Sequence, residues 1–261
     1  MIKKPDDNLS ILTGWIRDTL TAARFLTRLP VPMAGVETER SLAEVVWSFP
    51  VIGLIVGAIG AAALMIATSA GLHPLASSLV ALAAISLVTG ALHEDGLADV
   101  ADGFGGGAEI SDKLRIMRDS TVGTYGVLVL VFSVAVRAAA LAGMQGSGTA
   151  ALALIAAAAV SRGLVAAAMA WMEPARTDGL GASAGRPEGE AALVALALSA
   201  VVVFVLLGSA GWAVLAAAVV AAAFMGWTAN RQIGGHTGDV FGAVQQVAEI
   251  AALIAAAAVL G

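Results

Sequence analysis

Seven apolar runs, each about as long as a membrane-spanning helix, constrain the fold of this chain more than any other feature. They cover about residues 49–70, 75–92, 125–142, 150–170, 191–208, 210–228 and 241–260. A transmembrane helix needs roughly 20 mostly apolar residues, and lipid offers no hydrogen-bond partner to an open backbone. The sequence therefore predicts an all-α, polytopic integral membrane bundle of about seven transmembrane helices.

Composition excludes several classes of protein. Of the 261 residues, 59% are hydrophobic and 13% are charged, whereas an ordinary soluble domain is about 25% charged. The chain has no cysteine, which excludes disulfides, thiolate metal ligands and cysteine nucleophiles. The basic residues form no tract of the kind that binds nucleic acid, so we expect no nucleic-acid partner.

The positions of the lysines and arginines indicate the orientation of the bundle. Twelve of the fourteen lie in four segments on one side of the predicted spans. These are 1–48, 93–124, 171–190 and 229–240, with six, three, two and one basic residues. Because loops rich in Lys and Arg stay in the cytoplasm, we expect the N-terminus and these polar loops to be cytoplasmic.

The first span divides the chain into two parts. Residues 1–48 are predicted to be a cytoplasmic or interfacial N-terminal segment, and residues 49–261 a transmembrane catalytic domain. Between residues 9 and 29, apolar residues alternate with charged ones. This pattern favours an amphipathic helix lying at the membrane interface, with a plain cytosolic arm as the alternative.

The most informative polar segment, residues 89–107, follows the second apolar run. If it is helical, Asp95, Asp99 and Asp102 fall at i, i+4 and i+7, on one face. Three stacked carboxylates repel one another unless a cation lies between them, and oxygen-only ligands suit Mg²⁺ or Mn²⁺. The spacing predicts a metal-assisted phosphoryl-transfer site in a cytoplasmic active-site loop, with His93 and Glu94 beside it.

Glycines and basic residues follow these acids. Gly105 and Gly106 lie in a glycine-rich stretch, which we expect to form a flexible or anion-binding turn. Downstream, Lys113, Arg115 and Arg118 can hold phosphate oxygens that the metal does not hold. The alternative is a solvated loop whose acids only cap helices.

A second polar segment, residues 231–239, precedes the last span. Arg231, His236 and Asp239 lie among three glycines, again on the predicted cytoplasmic side. We expect this segment to meet the acid cluster over one substrate. The alternative is a turn in which Asp239 is the N-cap of the last helix.

Charged residues also lie inside the predicted spans. Glu249, Arg162 and Arg137 are functional candidates because burial of an unpaired charge is costly. Arg162 is expected to reach the site from the cytoplasmic end of its span, or to pair with Glu249 and hold the bundle together. We expect no role for Arg137 in the site. The loop 173–190, with Arg176 and Arg186, is either a lid or an ordinary loop.

Together these motifs resemble those of the cobalamin synthase family, the adenosylcobinamide-GDP ribazoletransferases. The resemblance rests on residues 25–32, 49–57, 93–106, 113–126, 161–162 and 233–243. They follow the family's order and spacing from about residue 20 to residue 255. The block Glu-Asp-Gly-Leu-Ala-Asp, residues 94–99, is the most specific of them.

The resemblance implies a reaction and its participants. The family joins adenosylcobinamide-GDP to α-ribazole, or to its 5′-phosphate, releases GMP and needs Mg²⁺. A member would be a multi-pass protein of the bacterial inner membrane, in contact with the lipid bilayer, as a monomer or as a homo-oligomer.

The resemblance also implies roles for the site residues. Asp95, Asp99 and Asp102 would hold Mg²⁺, with Glu94 and Asp239 as further ligands or supports. Arg115, Arg118 and Arg231 would bind phosphate oxygens. His93, His236 or one of the aspartates would take the proton from the attacking hydroxyl.

Two other functions compete with this one. A CDP-alcohol phosphotransferase also uses spaced aspartates, but its signature places an arginine after Asp-Gly-x-x-Ala, where this chain has Asp99. A cation transporter would use the acids to line a path. Its site should lie near the middle of the bilayer, whereas these aspartates lie at the predicted membrane edge.

Overall fold

The computed structural model describes residues 5–31, 40–179, 181 and 184–261, with side chains from residue 13 onward. Its α-helices, numbered here in chain order, account for most of these residues. They are α1 Pro5–Leu26, α2 Leu42–Val45, α3 Phe49–Ser69, α4 Pro74–Thr89, α5 Leu92–Gly106, α6 Ile110–Ile116, α7 Thr124–Ala142, α8 Ser147–Trp171, α9 Gly189–Leu207, α10 Gly211–Ile233 and α11 Gly238–Leu260. The described residues form no β-strand, only an isolated bridge between Pro174 and His236. The all-α prediction is confirmed.

Several helical elements are long and apolar enough to cross a membrane. Five pass by length and composition alone: Leu42–Ser69, Thr124–Ala142, Ser147–Trp171, Gly189–Ile233 and Gly238–Leu260. A sixth is formed if α4 and α5, which meet at a bend of 92°, are taken as one span. The protein is thus a multi-pass membrane protein, and the count of seven stays a prediction.

The longest of these elements, Gly189–Ile233, contains a reversal of the chain. At its start, Arg186 donates from Nε to the carbonyl of Ala170 at 2.9 Å. Just after its end, the His236 amide donates to the Glu173 carbonyl at 2.8 Å. Since both ends lie beside the same stretch of chain, α9 and α10 run in opposite directions. The turn lies at Gly208, whose φ of +55° suits glycine.

Helix α8 lies at the centre of the bundle, and ten of its 25 residues are buried alanines. Helix α3 packs against it through Gly53 and Gly57. A Cβ at Gly53 would overlap the carbonyl oxygen of Ala158, and one at Gly57 would lie 2.7 Å from the Cα of Ile155. Small residues allow this close approach, which replaces the hydrophobic driving force that lipid removes between membrane helices.

Four charged side chains form a buried network between α5, α7, α8 and α11. Arg137 Nη1 lies 3.0 Å from Glu249 Oε1, and Arg137 Nη2 lies 3.6 Å from Glu94 Oε1. Arg162 Nη1 lies 3.7 Å from Glu249 Oε2. Each residue is less than a tenth exposed. Two cations therefore face two anions, and the cluster is buried without net charge.

Uncharged polar groups complete this network. Gln245 donates to Glu249 Oε2 at 2.7 Å and to Ser161 Oγ at 2.9 Å. Gln246 donates to the side-chain oxygen of Gln245 at 2.9 Å, and Ser133 donates to Gln246 at 3.2 Å. Buried charges are tolerated when such hydrogen bonds satisfy the lone pairs that the ion pairs leave free.

The network bears on the expectations about charges in the spans. Arg137, for which we expected no site role, joins Glu249 to Glu94 on the site helix α5. Arg162 does not reach toward the cytoplasmic end, since it is 1% exposed and donates to the Ala158 carbonyl at 3.0 Å. The predicted pairing of Arg162 with Glu249 is confirmed.

The N-terminal segment contains a helix that packs on the bundle. Helix α1 buries Ala22, Leu26 and Asp18. The Asp18 carboxylate accepts from Arg40 Nη1 at 2.9 Å and from Trp47 Nε1 at 3.0 Å. The helix expected over residues 9–29 is thus present from Pro5 to Leu26, and the division of the chain at residue 48 stays a prediction.

Replacing Glu249 by leucine should strongly destabilise the protein, because two buried guanidinium groups lose their shared anion. Breaking a buried ion pair on one side costs about 3–5 kcal/mol. The measurement is thermal unfolding in detergent, with Ile254→Ala on the same helix as control, because Ile254 is 48% exposed. Unfolding of Glu249→Leu at the wild-type temperature would show that the network contributes nothing to stability.

Replacing Gly53 by alanine should lower the unfolding temperature, because the added methyl group meets the α8 backbone. Overpacking of this kind typically costs about 1–3 kcal/mol. The matched control is Gly189→Ala, where a Cβ meets nothing within 4 Å. Equal unfolding temperatures of the two variants would contradict close packing of α3 on α8.

Candidate active site

The acid cluster lies on α5, which a sharp bend separates from α4. Gly90, with φ of +64°, ends α4 in the left-handed conformation that glycine adopts freely. Helix α5 then runs for 15 residues and begins with Glu94 and Asp95 in its first turn. It is too short and too polar to span by itself. Its first turn meets the buried network at Arg137, and Asp99 and Asp102 lie toward the end of the bundle at which α7 begins, outside the spans.

The predicted stripe of aspartates is present on α5, but its members differ in exposure. Asp95 is exposed, Asp99 is half-buried and Asp102 is buried. Both oxygens of Asp102 accept backbone hydrogen bonds, from Gly123 at 2.7 Å and from Gly126 at 2.9 Å. Asp102 thus caps the start of α7 from another helix, and its role as a metal ligand stays a prediction.

The second polar segment meets the acid cluster, as expected. The first turn of α11 packs so closely on α5 that a Cβ at Gly96 would lie 2.7 Å from the Asp239 carbonyl oxygen. Thr237, not Asp239, is the N-cap of α11, and it accepts from the Val240 amide at 3.4 Å. The capping role considered for Asp239 is therefore wrong. Its carboxylate accepts from the Thr237 hydroxyl at 3.1 Å.

The carboxylates of the cluster are close enough to repel one another. Burial raises the pKa of Asp99 from 3.8 to about 7, and the charges of Asp95, Asp239 and Asp102 contribute to this rise in that order. A carboxyl group whose pKa approaches neutrality beside like charges marks a place where a cation would be stabilising.

The donor set suits a hard divalent cation, although the side chains do not form a closed cage. Among the described residues, no three acid or histidine side chains are grouped tightly enough to hold one metal ion by themselves. Mg²⁺ does not require such a cage, because it commonly takes one or two carboxylates together with water and substrate phosphates. Asp95, Asp99 and Asp239 fit that pattern.

Glu94, predicted as a metal ligand, belongs to the buried network. It is 7% exposed, and its Oε1 accepts from Ser86 Oγ at 3.2 Å and lies 3.6 Å from Arg137. Its Oε2 has no hydrogen-bond partner among the described residues. The structure therefore gives Glu94 a place beneath the aspartates, and metal binding by Glu94 stays a prediction.

Of the two candidate histidines, His93 faces a cavity. This cavity, of about 110 Å³, lies between α1, α3, α5, α8 and α11, and His93, Asp95 and Asp239 are its polar lining. The side chain of His93 is buried, at 4% exposure.

His236 lies beside this cavity and does not line it. Its ring stacks on Phe241 at 4.4 Å between centroids, and its Nδ1 is buried with no hydrogen-bond partner among the described residues. Burial lowers the pKa of His236. Its backbone is fixed by hydrogen bonds to Glu173 and Ala175, both 2.8 Å long.

The three arginines predicted to bind phosphate have different partners. Arg115 lies 3.7 Å from Asp112, one turn away on the same short helix. Arg231 lies over the ring of Trp227 at 5.3 Å from its centroid. Arg118 lies 2.5 Å from Asp178 in the loop after α8. These arginines are exposed, and only Arg118 is linked through that loop to the acid cluster.

The glycine-rich turn expected around Gly105 and Gly106 is wrong. Both residues belong to the last turn of α5, which ends at Gly106. A Cβ at Gly105 would lie 2.6 Å from the ring of Tyr125, so this glycine allows α7 to approach. The sequence pattern of small residues reflected close packing of two helices.

Sequence reasoning missed one charged residue at the site. Arg176, assigned only to a possible lid, places Nη2 3.8 Å from Asp239 Oδ2. Its signal in the sequence was a single arginine among glycines and acids in a predicted cytoplasmic loop, and that pattern does not tell a site residue from a solvated one.

Fold and site together define a class of protein: a multi-pass helical membrane protein with clustered carboxylates and neighbouring arginines at one end of its bundle. Such sets of groups handle phosphate chemistry in enzymes. The chain belongs to the CobS family, described as cobalamin-5-phosphate synthase, which it matches over residues 18–257.

Relatives with the name adenosylcobinamide-GDP ribazoletransferase are similar over almost the whole chain. The protein of Bradyrhizobium diazoefficiens is 45% identical over 93% of this chain and 94% of its own. That of Mesorhizobium japonicum is 45% identical over 90% and 91%, and that of Brucella ovis 40% over 92% and 96%. No solved structure matches the chain.

Asp99→Asn should stabilise the metal-free protein, increasingly so as the pH rises. Because the pKa of Asp99 is about 7 when folded and 3.8 otherwise, the folded state binds this proton more tightly. The associated stability is present below about pH 4 and is lost as the pH rises through about 7. The measurement is thermal unfolding in EDTA. The difference in unfolding temperature between Asp99→Asn and wild type should be larger at pH 8 than at pH 5.

Asp119→Asn is the control for this experiment. Hydrogen bonds from Thr121 lower the pKa of Asp119, so this carboxylate stays ionised from pH 5 to pH 8. The difference in unfolding temperature between Asp119→Asn and wild type should therefore be the same at both pH values. An Asp99→Asn variant less stable than wild type at pH 8 would contradict repulsion within the cluster.

Proposed function

We propose that this protein is an adenosylcobinamide-GDP ribazoletransferase. The observation that carries the proposal is 40–45% identity to relatives of that name over nine-tenths of the chain. In the proposed reaction, a hydroxyl of α-ribazole or of its 5′-phosphate attacks the phosphorus bonded to cobinamide. The bond from this phosphorus to the oxygen of GMP breaks, and GMP leaves.

Asp95, Asp99 and Asp239 are the residues that we propose to hold Mg²⁺. When bound, the ion would neutralise oxygens of the diphosphate. The support is the raised pKa of Asp99, which results first from burial and then from the charges of Asp95 and Asp239. Asp102 supports the cluster from below, because its two backbone hydrogen bonds fix α5 to the start of α7.

His93 is the residue that we propose to accept the proton of the attacking hydroxyl. It lines the same cavity as Asp95 and Asp239, whereas His236 does not. The predominantly apolar walls of this cavity, which include Phe25, Phe49 and Phe241, exclude water from the reacting groups.

The membrane setting is part of the proposal. We place the N-terminus and the active site on the cytoplasmic side of a bacterial inner membrane, because the Lys and Arg residues outside the spans concentrate in the segments on that side. Nucleotide substrates and Mg²⁺ are then available to the site from the cytoplasm.

The first test is turnover by detergent-purified protein with adenosylcobinamide-GDP, α-ribazole and Mg²⁺, measured as formation of both GMP and cobalamin. EDTA should abolish both products. Asp95→Asn should lower turnover by orders of magnitude while leaving membrane insertion unchanged. The matched control is Asp112→Asn, since Arg115 on the same helix α6 is the ion-pair partner of Asp112 within the described part of the chain.

Metal binding has its own readout in the same preparations. Mg²⁺ should raise the unfolding temperature of wild-type protein, because a ligand that binds only the folded state stabilises it, and should not raise that of Asp95→Asn. Near-normal turnover by purified Asp95→Asn would end the metal assignment. Product formation from a lipid-linked nucleotide donor, with none from adenosylcobinamide-GDP, would favour a phospholipid-synthesising enzyme.

Cation transport is less well supported by the structure. The ionisable side chains inside the spans, Glu249, Arg137 and Arg162, pair with one another and with Glu94. A site that binds a cation in the middle of the bilayer needs an excess of negative charge. This network has equal numbers of cations and anions and therefore no such excess.

A further inference from the structure

Arg176 is a mostly buried guanidinium group to which the described residues provide no hydrogen bond. Its side chain is 15% exposed, and Nη1 is buried without a hydrogen-bond partner among the described residues. Nε lies 3.8 Å from Asp178 Oδ1 and Nη2 lies 3.8 Å from Asp239 Oδ2, both beyond hydrogen-bond distance. A buried donor left in this state is unfavourable, so the arrangement points to a partner that arrives with the substrate.

The backbone around Arg176 is held against the candidate active site. The Ala175 amide donates to the His236 carbonyl and the His236 amide to the Glu173 carbonyl, both at 2.8 Å. Arg186 anchors the same loop from its other side, by bonds to Ala170 and to Glu173 at 2.9 and 2.8 Å. Arg176 therefore stands on a fixed piece of backbone beside Asp239.

Asp178 lies between two arginines from different parts of the chain. Its Oδ1 accepts from Arg118 Nη2 at 2.5 Å and lies 3.8 Å from Arg176 Nε. The carboxylate is 63% exposed, and so is much of Arg118. An exposed acid between two guanidinium groups occupies the place that a phosphate group would take, because carboxylate and phosphate both accept paired hydrogen bonds from arginine.

We propose that Arg176 and Arg118 form a phosphate-binding subsite beside Asp239, and that a substrate phosphate displaces Asp178 from between them. The inference rests on the proposed function for the identity of the phosphate compounds. It adds Arg176 to the residues that contact substrate. It also makes Asp178 a competitor of the substrate phosphate for the two arginines. The phosphate belongs either to the nucleotide donor or to α-ribazole 5′-phosphate.

Binding measurements with purified, metal-supplemented protein test the subsite without turnover. For the phosphate compound that it binds, Arg176→Gln should raise the Kd at least about tenfold, the loss expected for charge-assisted hydrogen bonds to one phosphate. GMP and α-ribazole 5′-phosphate are titrated separately, so the affected ligand identifies the source of the phosphate. α-Ribazole, which has no phosphate, should bind as to wild type.

Matched variants separate this role from a structural one. Arg40→Gln removes an arginine outside this loop, whose partner is Asp18, and it should bind both phosphate compounds as wild type does. Arg176→Lys keeps the charge and should recover part of the affinity. If Arg176→Gln does not elute as folded protein, Arg176→Lys is compared with wild type instead. In that case, an Arg176→Lys variant with the wild-type Kd for both phosphate compounds would overturn the inference.

Asp178→Asn should change the Kd in the direction opposite to Arg176→Gln. Removing the competing carboxylate should lower the Kd of the same phosphate compound by about two- to fivefold, the range of an exposed ion pair. A higher Kd would overturn the competing role, because it would mean that Asp178 contributes to binding. Unchanged Kd values for Arg176→Gln with both phosphate compounds would overturn the subsite.

Failure of the proposed function would give results different from those that overturn the subsite. Wild-type protein that binds GMP in an Arg176-dependent manner but forms no cobalamin would leave the phosphate subsite standing and remove the ribazoletransferase activity. Normal cobalamin formation, with Arg176→Gln binding every phosphate compound as wild type does, would remove the subsite alone.

Discussion

The ion pairs around Glu249 determine how the rest of the molecule is arranged. Glu249 lies between Arg137 and Arg162 at 3.0 and 3.7 Å, and a charge at this depth is tolerated only while its partners are in place. Because Arg137 also reaches Glu94 on α5, the helix with the aspartates is joined to the bundle core. Glu249 itself is on α11, the helix that begins beside Asp239, so one network positions both halves of the site.

Above this neutral network lies a cluster with an excess of negative charge. Among the described residues, Asp95, Asp99 and Asp239 have no ion-pair partner of the kind that Glu249 has, apart from the distant contact of Asp239 with Arg176. The raised pKa of Asp99 results first from its burial and then from this repulsion. Clustering these carboxylates therefore destabilises the protein alone but favours binding of a positive charge. This conflict between stability and function is common in sites that bind a charged substrate or a metal ion.

The sequence predicted those parts of the structure that depend on local periodicity. The helix with Asp95, Asp99 and Asp102, the meeting of residues 231–239 with it, and the separate apolar runs 191–208 and 210–228 all depend on spacing or apolar length. Contacts between distant segments could not be predicted in this way. The pairing of Arg137 with Glu94, the hydrogen bonds from Gly123 and Gly126 to Asp102, and the approach of Arg176 to Asp239 depend on how helices cross. Gly105 was misread because a glycine needed for packing looks like a glycine needed for a turn.

Helix α8 is a central element built from the smallest side chains, and this limits how its sequence can change. Ala156, Ala157, Ala158 and Ala159 are completely buried, and α3 touches their backbone at Gly53. Any replacement other than glycine adds volume to an interior without space for it. Sequence change along α8 must therefore be accompanied by change in its neighbours, so α3, α8 and α9 should vary together among related chains as a single covarying unit.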